Sequence, residues 1–147
     1  MQLREILAIK GSAVHTITPQ ATLREAAGKL IEHRVGALLV LEDGHQGLAS
    51  EIRGILSERD LLWACADPKA SLEVLHVADA MSHPVITGTP EDRLEDVMGL
   101  MTNQRKRHLP VVGEGRLLGI VSIGDLVKAH HDQLALEHRF MKDYIRG

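Results

Sequence analysis

One nine-residue pattern occurs twice in this chain. GILSERDLL at 54–62 returns as GIVSIGDLV at 119–127. Gly54, Ile55, Ser57, Asp60 and Leu61 correspond to Gly119, Ile120, Ser122, Asp125 and Leu126. Upstream of each copy lies a second matched block, TPQATLREAAGKLIEHR at 18–34 and TPEDRLEDVMGLMTNQR at 89–105. Thr18, Pro19, Leu23, Gly28 and Arg34 correspond there to Thr89, Pro90, Leu94, Gly99 and Arg105. The downstream blocks are offset by six residues less than the upstream ones. A longer connection in the first half, EDGHQGLASEIRG against GEGRLLG, accounts for this. Matched blocks in the same order describe an internal duplication, so the chain must fold as two similar halves.

Each half reads as β-α-β-β-α. A short apolar segment (14–17; 85–87) leads to Thr-Pro. A helix follows, with apolar residues near 3.6 spacing: Leu23, Ala26, Ala27, Leu30 and Ile31, then Leu94, Val97, Met98 and Met101. A continuous apolar strand comes next (36–41; 108–112), and a turn rich in Gly, Asp and Glu returns a second strand (52–56; 117–121). Ser57 or Ser122 then starts a helix. Continuous apolar strands predict sheets covered on one face by helices and buried where the halves meet. The fold class is α/β (α+β). The expected organisation is a first repeat with a leading helix at 1–66, a linker at 67–76 and a second repeat at 77–130. A C-terminal helix extension at 131–147 completes a long final helix starting near Gly124. Its Leu134, Leu136, Phe140, Tyr144 and Ile145 are expected to pack against the body or a partner chain.

Composition narrows the function. The chain has 147 residues, and only 2% of them are aromatic, too few for the stacking platforms of single-stranded nucleic-acid binders. A net charge of −3 gives no general attraction to nucleic acid or anionic membrane. One cysteine, Cys65, forms no internal disulfide and fits a reducing compartment. Cys65 follows Trp63 on a helix read as buried, which gives it a structural role. The charged, amphipathic start is not a signal peptide, and no apolar run is long enough for a membrane helix. The reading is a cytoplasmic protein with no nucleic-acid or membrane partner. Nine histidines show no metal-ligand spacing, and no metal is expected.

Two GIxSxxD segments within matched repeats, beside RHLPVV at 107–112, resemble the tandem cystathionine-β-synthase-type (CBS) domain pair, or Bateman module. The resemblance covers about residues 9–130. The opening KG…V…I.P and the ending YIRG resemble small stand-alone bacterial members. It implies two repeats packed pseudo-symmetrically through their sheets, with two clefts between them that take adenosine-containing ligands. AMP is the leading candidate, with ADP, ATP, NAD(H) or S-adenosylmethionine as alternatives. It also implies a non-enzymatic regulatory or signal-transduction module, a homodimer, and a downstream protein that the sequence does not name. A structural dimerisation protein with empty clefts is the alternative of another class.

By this resemblance Asp60 and Asp125 accept from ribose hydroxyls, and Ser57 and Ser122 contact ribose or phosphate. The residue types suit that chemistry: a carboxylate accepts from both hydroxyls of a cis-diol, and a helix N-terminus favours an anion. Capping explains the same serines and aspartates with no ligand. Arg107 and His108, in the basic run 105–108, are a phosphate clamp or a solvated helix end. The family's cross-repeat arrangement turns them toward the cleft of Ser57, Arg59 and Asp60. Their counterparts, Gly36 and Ala37, carry no charge, so Lys10 or His15 is left to supply it near Ser122 and Asp125. Arg59 is matched by Gly124. Two unequal sites follow, with the Asp60 site the better for phosphate. Thr16 and Thr87 are either ligand contacts or ordinary strand residues. Val85, Pro110 and Leu39 are purine neighbours or core.

Overall fold

The computed structural model describes residues 1–44 and 46–146. His45, in the longer connection, and Gly147, at the end of YIRG, lie outside the described residues. The described elements are α1 (Leu3–Lys10), β1 (Thr16–Ile17), α2 (Leu23–His33), β2 (Ala37–Leu41), a 3₁₀ turn (Ala49–Glu51), β3 (Ile52–Ser57) and α3 (Glu58–Ala66). They continue with α4 (Val77–Ala80), α5 (Leu94–Gln104), β4 (His108–Gly113), β5 (Arg116–Ser122) and α6 (Ile123–Arg146). The order is the duplicated β-α-β-β-α pattern with a long C-terminal helix. One difference is local: 85–87 forms no strand, and the first strand of the second repeat is reduced to a parallel bridge between Gly88 and Val111. Pro84 just upstream lacks a backbone N–H and limits what this segment can donate to a ladder.

The chain divides into two compact units that interleave the repeats. One combines Met1–Ser12, Gly88–Val111 and the chain from Leu118 onward; the other combines Ala13–Thr87 and Val112–Leu117. In the latter, β1 pairs parallel with β2, and β2 pairs antiparallel with β3. All five residues of β2 are buried. Side chains alternate across a strand. Leu38 and Val40 therefore meet Leu23, Ala26 and Leu30 of α2, with Leu56 and Val77. Leu39 and Leu41 meet Leu117, Val14, Ile52 and Ile55 on the opposite face. A strand buried on both faces needs the unbroken apolar run seen in the sequence.

Helix α2 starts at a reciprocal cap: Glu25 N–H donates to Thr22 Oγ1 (3.1 Å), and Thr22 N–H donates to Glu25 Oε2 (3.3 Å). Its repeat counterpart α5 has Arg93 at the cap and no side-chain cap bond. Thr22→Ala is expected to cost about 1 kcal/mol in urea denaturation, and Arg93→Ala much less. Both helices end in a left-handed arginine, Arg34 (φ 54°) and Arg105 (φ 53°). The shared arginine of the repeat is thus a helix terminator.

Each unit is closed by a helix from outside its own β-α-β-β-α core. Near α2, Val77 N–H donates to Ala21 O (2.8 Å) and Leu23 N–H to Leu75 O (2.9 Å). Near α5, Leu3 N–H donates to Asp92 O (2.9 Å) and Leu94 N–H to Met1 O (2.8 Å). Helices α4 and α1 hold equivalent places, but α1 is longer by a turn, and that turn carries Lys10.

Two expectations are corrected. Helix α3 buries no residue completely: Cys65 is exposed, and so are Leu62 and Trp63. Consecutive residues point to different faces of a helix, so Leu61 and Ala64 reach the core cluster while their neighbours do not. On α6, Leu134, Leu136, Phe140, Tyr144 and Ile145 are exposed on the chain, so packing against its body is corrected while the partner-chain alternative stands. No helix among the described residues is long and apolar enough to cross a membrane.

Candidate functional site

The repeated serine and aspartate sit where β3 runs into α3 and where β5 runs into α6. Ser57 caps α3. Its N–H donates to Asp60 Oδ2 (2.8 Å), its hydroxyl donates to the same oxygen (3.1 Å), and Asp60 N–H donates back to Ser57 Oγ (3.3 Å). Among the described residues, Asp60 Oδ1 accepts only a long bond, from Ser82 Oγ (3.4 Å). Ser82 is held by the backbone: its N–H donates to Ile55 O (2.9 Å), and Ile55 N–H donates to Ser82 O (3.0 Å). The segment around Ser82, near the start of the second repeat, therefore lies along β3 of the first. Among the described residues no cation pairs with Asp60.

The second copy repeats the box and differs around it. Ser122 N–H donates to Asp125 Oδ2 (2.8 Å), and Asp125 N–H donates to Ser122 Oγ (3.1 Å). Lys10 Nζ donates to that carboxylate oxygen (2.6 Å) and to Ile120 O (2.8 Å). Burial alone would raise the Asp125 pKa. The Lys10 ammonium and the Ser122 donors outweigh it, and the carboxyl titrates below its ordinary value.

Both motif glycines have the same cause. A Cβ on Gly54 would lie 2.6 Å from Met81 Sδ and 2.9 Å from Ser82 O; on Gly119 it would lie 2.7 Å from Leu7 Cδ2. Each glycine lets the closing segment cross its strand at close range.

The remaining candidates are placed as follows. Arg59 and Thr87 are exposed, and Val85 is half-buried. Thr16 is buried, and its hydroxyl donates to Gly44 O. Leu39 and Ala37 are buried, Leu39 as part of the core described above. Pro110 is buried, and its carbonyl accepts from Gly88 N–H (2.9 Å). Arg107 is exposed while its carbonyl accepts from Ile123 N–H (2.9 Å); His108 is half-buried at the start of β4. His15 stacks on His33, with ring centroids 4.0 Å apart. Desolvation, then the His33 and Lys29 charges, lower its pKa. Ser82 is not among the residues the sequence singles out; its only signal there is its place near the start of the second repeat. No cluster of three or more His, Cys, Asp or Glu side chains able to hold a metal occurs among the described residues.

Two interleaved β-α-β-β-α repeats, each ending its second strand in a serine–aspartate box, define a tandem-repeat module. The chain belongs to the CBS domain family, whose model matches residues 5–67 and 77–132. It is 36% identical over 132 residues to the mitochondrial CBS domain-containing protein CBSX3 of Arabidopsis thaliana, covering 88% of this chain and 63% of that protein. It is 34% identical to the CBS domain-containing protein YhcV of Bacillus subtilis, covering 77% of this chain and 76% of that one. The crystal structure of the CBS-domain containing protein ATU1752 from Agrobacterium tumefaciens superposes with a TM-score of 0.80. It shares 38% identity and covers 88% of this chain and 99% of that one. Tandem CBS domains are regulatory modules that often bind adenosyl ligands.

Proposed function

We propose that this chain is a non-enzymatic sensor of adenine nucleotides, with AMP as the leading ligand and two unequal sites. The observation that carries the reading is Asp60: a half-buried carboxylate that, among the described residues, pairs with no cation and has one oxygen engaged only by a 3.4 Å hydroxyl contact. Such an oxygen is suited to accept from a ribose cis-diol. Ser57, Arg59 and Asp60 form the centre of the better site, with Val85 and Thr87 on the segment that runs on from Ser82. Ligand binding shifts an assembly or conformational equilibrium only to the extent that it favours one state. A homodimer is part of the reading, supported by exposed apolar side chains on α3 and α6. NAD(H) and S-adenosylmethionine carry the same diol.

Native mass spectrometry of the purified chain, followed by identification of the released small molecule, tests the proposal. An adenosyl compound is the expected finding. A chain that neither carries nor takes up AMP, ATP, NAD or S-adenosylmethionine would instead be a structural dimerisation protein.

A further inference from the structure

The two copies of the motif are satisfied by different chemistry at one spatially equivalent point. In one, Ser82 N–H donates to Ile55 O (2.9 Å) and Ser82 Oγ reaches Asp60 Oδ1 (3.4 Å). In the other, Lys10 Nζ donates to Ile120 O (2.8 Å) and to Asp125 Oδ2 (2.6 Å), the oxygen that also accepts from Ser122 N–H. Ile55 and Ile120 are the same motif position. Lys10 thus puts a cation, delivered by the additional turn of α1, where the first copy has a neutral backbone donor at the strand carbonyl, and brings it into contact with the aspartate. The pair is only partly open to water, with side-chain exposures of 30% for Lys10 and 26% for Asp125. Its attraction is therefore screened less than that of a surface pair.

A ribose diol binds an aspartate by donating two hydroxyl protons to a negative carboxylate. At Asp125 that charge is already met by a cation in contact with it, and a neutral diol gains less there than at Asp60. We propose that Lys10 is the specificity-determining residue of the pair: its ammonium reserves Asp125 as an internal ion pair, so that AMP is taken at the Asp60 site alone. The inference rests on the adenine-nucleotide reading above and says which of its two sites is active and why.

Calorimetric titration with AMP tests it. Wild type and Lys10→Arg, which keeps the cation, are expected to bind one AMP per chain. Lys10→Gln, which keeps a donor for Ile120 O and removes the charge, is expected to bind two. In Lys10→Gln the added site is lost on Asp125→Ala. One AMP per Lys10→Gln chain would overturn the role of Lys10 while leaving the nucleotide reading intact. Loss of binding in Lys10→Gln would make Lys10 a ligand anchor, which also overturns it. Absence of AMP binding to wild type would remove the nucleotide reading itself and the inference with it. If Lys10→Gln fails to fold, carboxyl NMR of wild type decides: saturating AMP should move the Asp60 signal and leave the Asp125 titration in place. A moved Asp125 titration would refute the reservation.

Discussion

Asp60→Ala is expected to weaken AMP binding on the order of 100-fold, while Asp125→Ala leaves it nearly unchanged. A hydrogen bond to a charged acceptor contributes about 1.5–3 kcal/mol, and each ~1.4 kcal/mol is tenfold in affinity. Losing both diol hydroxyls' acceptor therefore costs at least about two decades. Asp60 also receives the Ser57 N–H at the start of α3, so Asp60→Ala loosens that helix end as well. Asp60→Asn separates the effects, because an amide oxygen still accepts there but carries no charge. It should keep the fold and lose most of the affinity. Calorimetric titration of both aspartate variants is decisive. Tight binding abolished by Asp125→Ala and retained by Asp60→Ala would invert the assignment.

Gly54→Ala is expected to destabilise the chain by about 1–3 kcal/mol, the usual range for forcing a methyl into a packed site, and to weaken AMP binding. The added carbon would stand 2.9 Å from Ser82 O, a backbone atom that accepts from Ile55 N–H and cannot rotate away. Relief requires the segment at 81–82 to lift from β3, taking the Ser82 hydroxyl from Asp60. At Gly119 the added carbon meets only the end of the Leu7 side chain, which can change rotamer. Gly119→Ala should therefore cost clearly less in urea denaturation. Equal costs at the two glycines would mean that close backbone approach is not what the motif glycine serves.

The parts of this architecture legible in the sequence are those stated twice. Ser57 and Asp60 could be capping residues on their own, but Ser122 and Asp125 at the same spacing identified a repeated junction. The structure places both boxes at strand–helix junctions. The apolar run 36–41 was readable because β2, buried on both faces, carries no polar residue. Less was legible where one residue answers to two partners. Lys10 stands out by its charge, yet nothing local in the sequence says that its amine takes the place of a backbone N–H at Ile120 O while pairing with Asp125. His15, the other cation considered for that place, is committed to a stack with His33. Trp63 and Cys65 were misjudged because a nine-residue helix with adjacent apolar residues does not declare which face is covered. The strand expected at 85–87 is reduced to the bridge at Gly88, a difference that the apolar pattern of the segment does not announce.

The docking of α1 has a consequence for dissection of the molecule. Met1 and Leu3 bond to the segment that opens α5, and Leu3 and Ile6 are buried. The opening residues are thus completed by chain that arrives nearly ninety positions later. What the sequence duplicates is a pattern, whereas what folds is an exchange of parts between its copies. A scissor cut in the linker would yield two fragments with intact motifs and no intact core. One would hold Leu3 and Ile6 with nothing to cover them. The other would hold Leu94 without the Met1 carbonyl that starts its helix. The unit of inheritance and the unit of stability are drawn along different lines in this chain.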